Sequence, residues 1–150
     1  MRKANYDKFP STKLTGMLVQ GWDAIISVLK KQMDARKVLA VDLYTGVYEE
    51  EVLDAFSKEF SGRVMNVRDL MKPEKEIQAL TERFMTEDVL FGYVTNLKLE
   101  DYLDADKVAA ARKQISEAKE TIVIIGTGAA VVAPQDAMVV YADMARWEIQ

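Results

Sequence analysis

The sequence predicts a three-layer α/β domain, with about five mainly parallel strands and helices on both faces of the sheet. Three observations predict it. Short apolar, β-branched runs, KVLAVDL at 37–43, TIVII at 121–125 and AMVVYA at 137–142, have the length of buried strands. Stretches with apolar residues at helical spacing separate the strand-like runs. No repeat, low-complexity tract or Pro/Gly-rich linker divides the 150 residues, so one domain is expected, burying roughly 70% of the surface its unfolded chain exposes.

The elements follow in order. Trp22, Ile25, Ile26, Leu29 and Met33 make one face of a first helix over 21–35. The run 37–43 is the first strand and is expected at the centre of the sheet. A turn at 44–46 leads to a second helix with Val52, Leu53, Phe56 and Phe60 on its inner face, then a strand at 63–67. Pro73 suits the first turn of a third helix with the stripe Ile77, Leu80 and Phe84. VLFGY at 89–93 reads as a further strand. Asp104 or Asp106 caps a helix carrying Val108, Ala111 and Ile115. The strand at 121–125 ends at Gly126, another follows at 137–142, and Met144 starts a terminal helix that the chain end interrupts, with Trp147 as its anchor. Strands alternating with helices imply right-handed crossovers and a mainly parallel sheet.

Composition excludes several function classes. With no histidine and no cysteine, the chain lacks the usual ligands of a catalytic zinc site and the usual Cys/His nucleophile pairs. Twenty basic and 24 acidic residues leave a net charge of −4, and no basic stripe interleaves with aromatics, so nucleic acid is not an expected partner. No apolar run nears the roughly 18 residues of a membrane span. The charged start MRKANYDKFP has no apolar secretory core, which leads to the expectation of a cytoplasmic protein.

Three segments are candidate sites, each with a structural alternative. DLYTGVYEEEV at 42–52 stands where a phosphate loop would follow the first strand. A Walker A loop needs flanking glycines and a lysine. Here there is one glycine, Gly46, and no following lysine, while Glu49, Glu50 and Glu51 complement the positive helix end and would repel phosphate. Either this is an acid-started helix after a tight turn, or Asp42, Tyr44 and the Gly46 amide hold a cation or a sugar hydroxyl. IIGTGAA at 124–130 sets Gly126, Thr127 and Gly128 after a strand, as a plain strand end or as an amide nest for an anion. It lacks the third glycine of the dinucleotide fingerprint. TEDVLFGY at 86–93 offers Asp88 as a Mg²⁺ ligand or hydroxyl acceptor, or as an ordinary turn residue. No residue is assigned a catalytic or metal-binding role.

The segments NYDKFP, GVYEEEVL, TEDVLFGY, KLEDYLDADK, IIGTGAA and YADMARWEIQ, spread in this order over nearly the whole chain, also carry a family likeness. The chain resembles the N-terminal domain of a bacterial group of cupin-type, class I-like mannose-6-phosphate isomerases. The resemblance implies a following cupin barrel, absent from this sequence, that holds zinc and interconverts mannose 6-phosphate and fructose 6-phosphate. It therefore implies a single accessory domain over 1–150, a fragment of a longer enzyme, with the cupin domain of the same polypeptide as partner and a homo-oligomer as a further possibility. A looser, fold-level resemblance is to P-loop nucleoside kinases, through element order and the position of DLYTGVYEEE. The rival expectation is a binding module for a sugar phosphate or nucleotide, or a degenerate P-loop-kinase-like or Rossmann-like domain, with its site at the strand C-termini.

Overall fold

A computed structural model describes residues 11–13 and 15–145. Four strands, β1 (Val38–Leu43), β2 (Arg63–Asn66), β3 (Ile122–Gly126) and β4 (Met138–Ala142), form one sheet in the order β2-β3-β1-β4. Every pair is parallel, with Ala40 beside Ile124 on one side and Val139 on the other. As expected, the run at 37–43 is internal. Both inner strands are apolar but for Asp42 near the end of β1, because both faces are covered: Leu39, Ala40, Val123, Ile124 and Ile125 have no exposed surface.

Strand alternation divides the core into two layers. Leu39, Val41, Leu43, Val123 and Ile125 point to α1 (Trp22–Met33) and α2 (Glu49–Glu59), meeting Ile26, Leu29, Val52 and Phe56. Val38, Ala40, Ile122 and Ile124 point the other way, onto Val108, Ala111 and Ile115 of α4 (Ala105–Glu117) and onto α5 (Ala129–Val132). The three-layer α/β architecture follows. Of the two predicted caps, Asp104 is the one used: its carboxylate accepts from the amides of Asp106 and Lys107, each at 3.0 Å. Pro73 stands just before α3 (Glu74–Thr81), a helix with no fully buried residue.

The run 89–93 is not a strand, and the sheet accordingly has four strands among the described residues rather than about five. Local polar chemistry prevents it. The Asp88 carboxylate accepts from the amides of Leu90 at 2.8 Å and Phe91 at 3.2 Å, and Thr86 donates to the Phe91 carbonyl. Such bonds bend the backbone and take donors a ladder would need. Val89, Leu90, Phe91, Tyr93 and Val94 are left facing solvent. At the other end of the chain, residues 143–145 are not helical, so no helix starts at Met144; Trp147 lies outside the described residues. No helix among the described residues is long and apolar enough to cross a membrane.

Candidate functional site

The loops at the C-terminal ends of β1 and β3 leave toward opposite faces of the sheet. After β1 the chain runs to α2, on one face; after β3 it runs to α5, on the other. A crevice opens between neighbouring strands at such a switch point, where open α/β sheets bind their ligands.

Asp42 decides what this crevice holds. It is the last β1 residue on the α5 face, directly beside Gly126 in the sheet register. The first amides of a helix have no partner within it, and a carboxylate near them is held by both hydrogen bonds and the helix dipole. The Gly128 amide donates to Asp42 Oδ1 at 3.1 Å and the Ala130 amide to Oδ2 at 2.8 Å. Two amides of the segment IIGTGAA thus converge on an anion, and that anion is the chain's own carboxylate. Thr127 fastens the same loop by donating its hydroxyl to the Leu43 carbonyl at 3.0 Å.

Two glycines make this approach possible. At Gly126, φ is 135°, and a Cβ there would stand 2.9 Å from Val67 Cβ and 3.3 Å from the Val67 amide nitrogen. At Gly128, φ is 87°, the left-handed turn that starts α5, and a Cβ would meet nothing closer than 4.0 Å.

Tyr44 and Gly46 stand on the other side of the crevice. With Thr127, Tyr48, Glu49 and Arg68 they line an open cavity of 420 Å³. The three glutamates at the start of α2 have separate employment. Glu49 accepts from Asn66 Nδ2 at 2.7 Å and Arg68 Nη2 at 2.9 Å, tying α2 to the end of β2. Glu51 accepts from the Trp22 indole at 2.8 Å, tying α2 to α1. Glu50 is exposed and lines the cavity. Next to Tyr44, the phenol of Tyr141 on β4 is held above its ordinary range by desolvation, with Asp143, Tyr44 and Asp42 adding to the effect.

Of the sequence-predicted residues, Asp42, Gly126, Thr127 and Gly128 come together, and Tyr44 and Gly46 adjoin them across Thr127. Asp88 does not join them. It is engaged in the turn of its own loop and does not line the crevice. A model of the family described as Domain of unknown function (DUF8485) matches residues 21–150. The chain belongs to the DUF8485 family. No curated protein and no solved structure matches it. The match opens at Gly21, the residue that caps α1, and so takes in every strand of the DUF8485 sheet and both walls of its crevice.

Sequence reading missed the Glu49, Asn66 and Arg68 cluster. Asn66 did carry a signal, since its side chain caps the short 3₁₀ turn Val67–Leu70 by accepting from the Arg68 amide at 2.7 Å. Also missed was a larger cavity of 1120 Å³ at the opposite end of the DUF8485 sheet, lined among others by Lys37, Arg112, Glu120 and Asp136. Its lining comes from separate loops, so no local motif announces it. Arg112 is occupied there in holding the end of α5, donating to the Val131 carbonyl at 2.7 Å.

Proposed function

We propose that this domain is a non-catalytic accessory module, the N-terminal domain of a mannose-6-phosphate isomerase-like protein whose zinc-bearing cupin domain performs the interconversion of mannose 6-phosphate and fructose 6-phosphate. The observation that carries the non-catalytic part is Asp42 seated on the amides of Gly128 and Ala130, which spends the crevice's anion-binding donors on an internal bond. The order of segments from GVYEEEVL to YADMARWEIQ carries the likeness to the isomerases. Zinc belongs to the cupin half of that protein, since a catalytic zinc normally takes three protein ligands with histidine among them. A cytoplasmic setting belongs to the same reading.

Calorimetric titration tests it directly. ATP, mannose 6-phosphate and inorganic phosphate should each bind no more tightly than about 1 mM, a free energy of roughly −4 kcal/mol or weaker. The chain alone should show no zinc-dependent turnover of mannose 6-phosphate. Micromolar ATP, or turnover lost on chelation and restored by zinc, would overturn the accessory reading.

One observation favours a second reading, a small-molecule binding module: the 420 Å³ cavity is lined by Tyr44, Gly46 and an Arg68 already paired with Glu49. That arrangement suits a sugar hydroxyl group better than a triphosphate. Stabilisation by a neutral sugar, removed by Tyr44→Ala, is the result this reading requires.

A further inference from the structure

The two edges of the sheet are protected very differently. Exposed strand edges recruit other strands, and proteins blunt them with charges, proline, bulges or brevity. β2 has four residues, opens on an exposed arginine, Arg63, and turns at once into the 3₁₀ segment Val67–Leu70. β4, only one residue longer, has no charge, proline or bulge within it. Its sequence is MVVYA, and among the described residues it pairs on one side only, with β1. Its faces alternate: Met138, Val140 and Ala142 pack on the α1–α2 layer, while Val139 is 54% and Tyr141 60% exposed.

We infer that the edge of β4 away from β1, which no described strand occupies, pairs antiparallel with β4 of a second copy of this chain, in a register centred on Val140. The pleat narrows the choice, since facing residues must point to the same side of the joined sheet. Centring on Val139 sets Ala142 opposite the partner's Asp136; centring on Tyr141 sets Val139 opposite the partner's Asp143. Centring on Val140 overlaps the whole strand with itself. Met138 then faces the partner's Ala142, and Val139 faces the partner's Tyr141 twice over, an aromatic with a β-branched residue, which is a favourable cross-strand pair.

Charge agrees with this register. The strand is flanked by Asp136 and Asp143, and neither meets an acid: Asp136 falls opposite the partner's Met144 and Asp143 opposite the partner's Ala137. The interface is isologous, the usual form for a dimer, and joins two four-stranded sheets into one. A strand of five residues from each copy buries less than the roughly 1,200 Å² of a standard stable interface, so the dimer is weak and reversible. The inference does not depend on the isomerase-related reading.

Sedimentation velocity over a concentration series up to about 1 mM tests it, on the chain and on two double variants. Val139→Lys with Tyr141→Lys puts lysine opposite lysine at both paired positions and should weaken the dimer roughly tenfold or more. Val139→Lys with Tyr141→Glu puts lysine opposite glutamate and should restore association. Both positions are exposed, and circular dichroism of the variants at low concentration reports that each monomer stays folded. A chain monomeric throughout the series overturns the inference. So does equal association of the Lys/Lys and Lys/Glu variants, because only the register centred on Val140 sets 139 against 141.

Discussion

Asp42 reaches from β1 to the Ala130 amide at 2.8 Å, closing the start of α5 onto the strand beside it. This bond and its companion at Gly128 join residues more than 80 positions apart, and they turn a possible anion site into a structural joint. Asp42→Ala should therefore destabilise the fold by about 2 kcal/mol, the usual range for hydrogen bonds to a charged acceptor. Asp42→Asn keeps one acceptor oxygen and should cost about 1 kcal/mol. Urea denaturation followed by circular dichroism measures both, and an unchanged midpoint in Asp42→Ala would remove the joint from the account.

The glycines of the same loop should differ in sensitivity. Gly128→Ala meets strain from its positive φ alone, at about 1 kcal/mol. Gly126→Ala adds a clash with Val67, a core residue that cannot move aside, and should cost about 3 kcal/mol. The order of the two denaturation midpoints is the test; a more damaging Gly128→Ala would contradict the packing described at Val67.

In the α1–α2 layer, Phe56 is 1% exposed, meets Trp22 edge-on at 6.2 Å between ring centroids and stacks on Phe60 at 5.6 Å. Phe56→Ala should cost about 3–5 kcal/mol, the range for deleting a buried aromatic. It should also red-shift the emission of Trp22 as water gains access to the indole. Loss of stability without a change in emission would place the damage elsewhere.

The loop around Asp88 makes a different kind of prediction, since its apolar residues contribute little burial. Asp88→Ala removes the acceptor that orders the Leu90 and Phe91 amides, while the sheet stays intact. Global stability should move by less than about 0.5 kcal/mol, as for most surface changes. Chymotrypsin, however, should cut after Phe91 or Tyr93 several-fold faster than in the unaltered chain, because local opening governs cleavage there. Equal cutting rates would mean that Asp88 does not order the loop.

The legible part of the fold was the part where one strand or helix carries its own signal. Runs buried on both faces, such as 38–41 and 122–125, announce themselves because continuous apolar β-branched sequence has few other uses in a chain of this composition. The helical stripe from Trp22 to Met33 and the cap at Asp104 are likewise local. VLFGY at 89–93 carried the same apolar signal without becoming a strand, because the turn bonds of Thr86 and Asp88 and the absence of a ladder partner among the described residues are not properties of the run itself.

The candidate site divides in the same way. From sequence alone, Asp42 at a strand end and Gly126 and Gly128 after another were separate suggestions, one for a cation or hydroxyl and one for an anion. The tertiary structure decided that they answer each other, because parallel pairing of β1 with β3 sets Asp42 beside Gly126, and pleat alternation turns its carboxylate onto α5. Composition had already withheld zinc ligands, and the loop after β1 had already withheld the lysine of a phosphate site. Whether the remaining acid would be a free ligand or an internal bond depended on a contact across the sheet, which no local pattern encodes.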